Sequence, residues 1–188
     1  MMLMTSASPA VCERLINGSQ GVLIWRKAPK HVGPFTIYVY CTTESSKRDL
    51  VYTRSSSKLM MSHANKAVVS INREEFPIEG VSCKGKVIAS FECAAIYPFK
   101  VFENGAIQDW NRLGLAKSGL SYEDLAKFVG VNKTGYAVSV DNLTLFGEPM
   151  ELSDFGSWVE TATWRRMLPL RRAPTGYCYV HTIFDKRK

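Results

Sequence analysis

Short runs of β-branched and aromatic residues, separated by glycine, proline and asparagine, most limit how this chain of 188 residues folds. The clearest run is Phe35–Thr42, and a longer one extends from Gly85 to Ile96 before Pro98. Such residues suit the half-buried surface of a pleated sheet, whereas glycine and proline interrupt strands. The pattern therefore predicts a sheet-rich fold built from many short strands.

Other segments extend this pattern along the chain. Further strands are predicted at Gly21–Trp25, Leu50–Thr53 (as part of a weak hairpin), Ala67–Asn72, Gly135–Val140, Leu143–Phe146 (closed by Pro149) and Tyr177–Phe184. Asn104 and Gly105 form a dipeptide that is typical of a hairpin turn.

Two segments carry helix signals instead. Residues 10–17 place Val11, Leu15 and Ile16 on one helical face, and Gly18 is suited to end that helix. Ser121 is positioned to cap a second helix, which Gly130 stops. Many short strands with about two helices predict an α+β fold around a curled or barrel-like sheet.

Composition excludes several classes of protein. The chain is 46% hydrophobic and 11% aromatic, which is too apolar for a disordered protein. No window approaches the roughly 18 uncharged apolar residues of a membrane span, and Met1–Met4 is too short for a signal-peptide core. We therefore expect a cytoplasmic protein with no membrane partner and one domain over residues 10–182. That domain would carry an N-terminal extension (1–9), a polar excursion (42–66) and a basic tail (183–188).

Cysteine and histidine spacing gives no sign of a metal site. The five cysteines form no Cys-x-x-Cys pair, and the three histidines lie far apart, whereas zinc ligands are usually closely spaced. The glycine pairs match neither a P-loop nor a dinucleotide-binding fingerprint. We therefore expect no metal, no cofactor and reduced, mostly buried thiols.

Positive charge is the strongest indication of a partner. The chain has 24 lysines and arginines against 17 acidic residues, a net charge of +7. A basic surface favours phosphate contacts whose strength falls with salt, although a solvated surface is the other interpretation. The local groups are Arg26, Lys27 and Lys30; Arg165, Arg166, Arg171 and Arg172; and Lys186, Arg187 and Lys188.

Seven segments in a specific order carry a family resemblance. They are Ile16–Gln20, Gly33–Thr42, Gly85–Phe91, Ile107–Trp110, Gly119–Leu125, Asn142–Phe155 and Ala173–Val180. Together they resemble the ASCH-domain family of the PUA-like superfamily, in the form common in phages and prophages, over about residues 10–182. The resemblance implies a PUA-like β-barrel with flanking helices and a cleft that is assigned to RNA or modified nucleosides.

The sequence differs from this family at motif positions where the family has residues that can transfer protons. Gln20 stands where the first family motif has a lysine, and Trp25 falls at its arginine, unless a one-residue slip places Arg26 there. Leu23 and Ser90 replace residues that are often acidic in the family. General acid–base catalysis needs a titratable group within hydrogen-bond reach. These replacements predict a fold kept for binding, with no catalytic residue left at the inherited positions.

The leading hypothesis is therefore a non-catalytic module that binds RNA or another nucleic acid. The predicted contact residues are Gly18, Gln20, Trp25, Arg26, Lys27 and Lys30. Trp25 has two interpretations, because an indole at this point either stacks on a base or fills the emptied pocket as part of the core.

Two other functions stay open. A phage-encoded inhibitor or adaptor could bind a host complex that acts on nucleic acid, such as a defence nuclease, through exposed aromatic and arginine side chains. Aromatic and arginine side chains together are typical of nucleic-acid surfaces as well as of protein-binding surfaces. The residues of this predicted protein or nucleic-acid surface are Trp158, Trp164, Arg165, Arg166, Arg171 and Arg172. The other function is an amidohydrolase on acylated nucleosides, or a ribonuclease, in which Glu13, Glu92 or Asp109 replaces the lost acid.

Overall fold

The computed structural model describes residues 1–31, 33–43, 49–53, 66–70, 81–161 and 163–183. These residues form a sheet-rich α+β structure with two α-helices, α1 (Pro9–Ile16) and α2 (Tyr122–Val129). The strands are β1 (Met2–Ala7), β2 (Val22–Trp25), β3 (Phe35–Cys41), β4 (Asp49–Thr53), β5 (Lys66–Ser70), β6 (Val81–Ser82), β7 (Lys86–Cys93), β8 (Ile96–Lys100), β9 (Thr134–Ser139), β10 (Asp141–Glu151), β11 (Phe155–Glu160), β12 (Arg165–Pro169), β13 (Tyr177–Tyr179) and β14 (His181–Thr182). Short 3₁₀ helices cover Leu115–Ser118 and Leu152–Asp154. The predicted fold class, α+β, is confirmed.

The chain divides into two compact units. The first unit contains Arg14–Thr36 and Phe91–Leu143 together with Met1, and the second contains the remaining segments. The predicted boundary of one domain at residues 10–182 stays a prediction. In the described part of the chain, no helix has the length and apolar character needed to cross a bilayer.

The first unit is a three-stranded sheet covered by helical segments. Its central strand β9 is antiparallel to both β2 and β8. Phe99 of β8 and Leu125 and Val129 of α2 are buried in the same core, together with Leu115 of the first 3₁₀ helix. This packing holds the end of α2 against the sheet.

The helix α2 follows the signals that its sequence carries. The Ser121 hydroxyl accepts a hydrogen bond from the backbone N–H of Asp124 at 3.1 Å, which satisfies one of the free donors at the helix start. Gly130 ends the helix with a φ of 96°, and its N–H donates to the carbonyl of Ala126. The predicted helix and both of its ends are confirmed.

Gly135 is the glycine at which an added Cβ atom would meet the closest neighbour. A Cβ atom there would lie 2.4 Å from Cζ of Phe99 and 2.8 Å from Cγ2 of Val129, both of which are buried. We expect Gly135→Ala to lower the free energy of unfolding by about 1–3 kcal/mol, because the core must shift to admit the methyl group. Urea denaturation measures this loss. Gly176→Ala is the control, since no described atom lies within 4 Å of its Cβ position, and equal stability of the two variants would contradict the packing.

The second unit contains a five-stranded sheet in the order β10-β7-β3-β1-β13. Met4, Tyr40, Val87, Phe155 and Val180 form its buried core. Residues 1–9, predicted to be an extension, instead supply β1, which pairs with β13 through Met4 opposite Cys178. The sequence of Met2–Ala7 alone does not show that this segment pairs with a strand far along the chain.

Three other strand predictions need correction. Pro149 does not close the strand that starts near Leu143, because β10 continues through it to Glu151. β10 is an edge strand of its sheet, where a residue without an N–H is tolerated. The predicted last strand is interrupted at Val180, so that β13 and β14 belong to different sheets. The Leu50–Thr53 segment is a strand, but its neighbours are β5 (parallel) and β6 rather than a hairpin partner within the excursion.

The predicted barrel is not seen as a closed sheet. Among the described residues the strands form four sheets, one of five strands and three of three strands. Parts of two predicted segments, residues 44–48 and 54–65 of the polar excursion and 184–188 of the basic tail, lie outside the described residues. The basic group Lys186–Lys188 falls in that last range.

Candidate nucleic-acid interface

A basic groove lies on the first unit where β2 ends and α2 ends. Its volume is about 610 Å³, and four of its lining side chains are cationic: Arg26, Lys27, Lys127 and Lys133. All four side chains are exposed to solvent. The described lining residues include no carboxylate, so the groove presents one sign of charge to an approaching ligand.

An aromatic side chain forms part of the same groove. Phe128 is 39% exposed, and Cζ of Arg26 lies 4.4 Å from the centre of its ring. A guanidinium over an aromatic face is attracted by the π electrons, and this contact keeps Arg26 beside Phe128 in the groove. The outer face of a guanidinium held in this way is a surface on which a nucleobase can stack.

The end of α2 positions the two lysines. Lys127 lies in the last turn, where a cation is favoured by the helix dipole. Lys133 follows the turn, and its Cδ would lie 3.2 Å from a Cβ atom at Gly130. The glycine therefore leaves room for the lysine stem to cross the helix end. Because the groove adjoins the carbonyl end of the helix, attraction for anions depends on side chains rather than on backbone N–H groups.

Gln20 is buried and is not part of the exposed surface. It is 5% exposed, and its Oε1 accepts a hydrogen bond from Nε of Arg14 at 3.0 Å. Its Nε2 donates to the backbone carbonyl of Val22 at 3.3 Å. Both ends of the amide are therefore occupied within the protein, and no direct contact of this side chain with a ligand is expected.

Trp25 and Leu23 are also buried. Trp25 is 6% exposed and Leu23 is 7% exposed. Trp25 lies opposite Tyr136 in the β2–β9 pairing, and Tyr136 itself lines the basic groove. Of the two interpretations of Trp25, burial favours the core, since its ring is not available to stack on a base.

The other predicted contact residues are divided between two places. Arg26 and Lys27 line the groove. Gly18, at the end of α1, and Lys30 are exposed but are not among the lining residues. Sequence reasoning missed Lys127, Phe128, Lys133 and Tyr136. The one available signal was Phe128, a large aromatic residue in the last turn of the predicted helix.

The predicted aromatic–arginine surface belongs to the second unit. Trp158 lies on β11 and is 45% exposed, and Trp164 precedes β12 and is 47% exposed. Arg165 and Arg166 begin β12, and Arg171 and Arg172 follow it; all four arginines are exposed. The structure therefore brings Trp158 and Arg165 together, with Cζ of Arg165 4.8 Å from the Trp158 ring centre.

The cysteines are poorly suited to act as nucleophiles. Cys12, Cys41, Cys83 and Cys93 are buried, and none of the five thiols is oxidised. A hydrogen bond with Cys41, together with burial, raises the pKa of the Cys12 thiol well above its usual value. Burial raises the pKa of Cys178 to about 11, so the reactive thiolate is scarce at neutral pH. Within the described ranges, no group of three His, Cys, Asp or Glu side chains is arranged to hold a metal ion.

Two of the three acids proposed as replacements, Glu92 and Asp109, have partners of their own. Glu92 accepts a hydrogen bond from Asn142 at 2.9 Å, and Asp109 pairs with Arg112 at 2.7 Å. Ser90 is a half-buried residue of β7. A lysine and a carboxylate do meet in the second unit, where Lys86 and Glu151 form an ion pair with side chains 35% and 56% exposed.

A smaller cavity of about 300 Å³ lies on the sheet of the first unit. Val22, Leu113 and Ala137 give it apolar walls, and Tyr97, Arg112 and Ser139 add polar groups. The Ser139 hydroxyl donates to Asp141 at 2.9 Å. Arg112 is the one cation among the cavity's described lining residues, and it is paired with Asp109.

Comparison with known proteins gives structural neighbours alone. No protein-family model and no curated protein matches the sequence. The chain is similar to the crystal structure of ASCH from Zymomonas mobilis, with 16% identity over 80% of this chain and 73% of that chain and a TM-score of 0.49. A mutant form of that protein has 14% identity, covers 80% and 76% of the two chains, and gives a TM-score of 0.48.

Proposed function

We propose that this protein is a non-catalytic, ASCH-type module of the PUA-like superfamily that binds RNA or another nucleic acid through the basic groove. The observation that carries the proposal is the set of four exposed cations around Phe128. Lysines and arginines contact phosphates without regard to sequence, and an aromatic platform adds affinity for unpaired bases. The resemblance of the sequence motifs to the ASCH-domain family supports the same ligand class.

The proposal is tested by fluorescence anisotropy with labelled single-stranded and stem-loop RNA over a salt series. If all four groove cations contact phosphates, the plot of log affinity against log salt is expected to have a slope of about −3 for single strands. Affinity weaker than millimolar at 50 mM salt, or affinity that does not change with salt, would contradict the proposal.

The proposed absence of catalysis rests on Gln20. In place of a titratable lysine the chain has an amide with both ends hydrogen-bonded inside the protein, and such a group cannot supply or take a proton. Lys86 and Glu151 are a lysine and a carboxylate in contact, and both side chains are partly exposed. Turnover of an acetylated cytidine or of RNA that disappears in Lys86→Met would overturn the non-catalytic proposal.

A further inference from the structure

A second exposed surface lies on the three-stranded sheet β12-β11-β14 of the second unit. We call it the ribbon face, and its residues are Trp158, Glu160, Arg165, Met167 and His181. Trp158 lies opposite Met167 in the strand pairing. Opposed residues, and every second residue along a strand, share one side of a sheet. Glu160 and Arg165 are paired on the same side, so the ribbon face is one continuous surface.

Three planar groups lie side by side on this face, one from each strand. Cζ of Arg165 is 4.8 Å from the centre of the Trp158 indole. The imidazole centre of His181 is 6.2 Å from the same indole, at an interplanar angle of 73°. All three residues are exposed. The face therefore offers a row of planar side chains across neighbouring strands, centred on Trp158.

The segment that carries this row is rich in arginine. Between Phe155 and Arg172 the sequence contains four arginines and no lysine, and Glu160 is its one acidic residue. Arginine binds phosphate through a planar fork and stacks on flat groups, whereas lysine binds phosphate as a point charge. Arg165 is the arginine on the ribbon face, where it lies opposite Glu160, and Arg166 lies on the other side of the sheet. The Arg165 guanidinium beside the Trp158 indole therefore suits a partner that carries both anionic and flat groups.

The end of the ribbon is held in place by its own hydrogen bonds. The Thr161 hydroxyl accepts hydrogen bonds from the backbone N–H groups of Trp164 at 3.2 Å and Thr163 at 3.4 Å. The Thr161 N–H donates to the carbonyl of Trp164 at 2.8 Å. These hydrogen bonds join the end of β11 to the start of β12, and the strand pairing from Gly156 opposite Pro169 to Glu160 opposite Arg165 sets their register.

We propose that the ribbon face is a second binding surface, specific for single-stranded nucleic acid, in which an unpaired base stacks at Trp158 beside Arg165. Open sheet faces with exposed aromatic side chains bind single strands in this way. Bases inside a duplex are covered by their neighbours and cannot reach the indole. The inference rests on the proposed nucleic-acid-binding function for its ligand class, but it uses a different part of the chain.

The test is a titration with a 12-nucleotide oligouridylate, followed by intrinsic tryptophan fluorescence. Stacking of uracil is expected to quench the emission of the wild-type protein. Trp158→Leu should lose most of this quenching and bind about tenfold more weakly, because base stacking contributes roughly 1–3 kcal/mol. Trp158→Phe keeps an aromatic ring and should bind within about threefold of the wild type. Trp110→Phe, at a half-buried indole of the first unit, is the matched control.

Quenching that persists undiminished in Trp158→Leu would overturn the inference. A matched duplex that binds as tightly as the single strand would also overturn it. Binding of polyglutamate that is lost in Trp158→Leu would show a surface for acidic proteins instead. The variant Lys127→Gln/Lys133→Gln separates the two proposals. Oligouridylate binding that depends on these lysines but not on Trp158 rejects the ribbon face alone, whereas no binding by the wild type rejects both.

Discussion

Replacement of Lys127 and Lys133 by glutamate together is expected to weaken RNA binding by roughly 100-fold at low salt. The two side chains line the same groove as Arg26 and Lys27, and the change places two anions where phosphates would lie. Each lost phosphate contact should also reduce the salt slope by about 0.7 for a single strand. Anisotropy titrations between 50 and 300 mM salt measure both effects.

A matched control separates the groove from the overall charge. Lys84 and Lys117 are exposed lysines outside the groove lining, so Lys84→Glu/Lys117→Glu changes the net charge equally. We expect this control to weaken binding several-fold less than the groove variant. A carboxylate at position 127 also lowers the stability of the protein by about 0.3–1 kcal/mol, because it lies at the carbonyl end of the helix. The variant Lys127→Gln/Lys133→Gln, which removes the charges without adding carboxylates, is therefore measured as well. Equal losses for the groove and control variants would show that binding follows net charge rather than a site.

Gln20→Lys is expected to destabilise the protein by at least about 2 kcal/mol more than Gln20→Met. The lysine would place an ammonium next to the Arg14 guanidinium, which lies 3.0 Å from Oε1 of Gln20, at a position that is 5% exposed. A buried charge without an opposite partner costs several kcal/mol. Methionine has nearly the same length as lysine but no charge. The difference in unfolding free energy between Gln20→Lys and Gln20→Met, measured with urea, therefore isolates the electrostatic part of the destabilisation.

Arg14 provides a further check on this prediction. In an Arg14→Met background the extra cost of lysine over methionine at position 20 should shrink, because the like charge is gone. If Gln20→Lys is instead as stable as Gln20→Met and unaffected by Arg14, the position tolerates a charged lysine. The inference that a charged lysine is disfavoured at position 20 would then fail.

The candidate site was only partly readable from the sequence. Arg26 and Lys27 were predicted because they follow a recognisable motif, and both line the groove. Lys127 and Lys133 were missed, since they lie about a hundred residues further along the chain and become neighbours of Arg26 only after folding. Trp25 and Gln20 show the opposite case, in which residues of the motif itself are buried.

Local chemistry decided a large part of the secondary structure. The helix between Ser121 and Gly130 follows from a capping hydroxyl, the spacing of Leu125 and Val129, and a terminal glycine, all within ten residues. The strand at Phe35 follows from its own β-branched and aromatic composition. Such features need no information from distant parts of the chain.

Pairing between distant segments was decided only by the tertiary structure. Met2–Ala7 becomes a strand because β13, some 170 residues away, supplies its hydrogen bonds, and Pro149 is tolerated because β10 has a free edge. The groove depends in the same way on β2 and α2 meeting across the core of the first unit. Sequence alone determined which residues favour strand or helix and how much positive charge the molecule carries, since these are properties of single residues and their neighbours. Where that charge gathers depends on long-range packing, which short-range patterns do not encode.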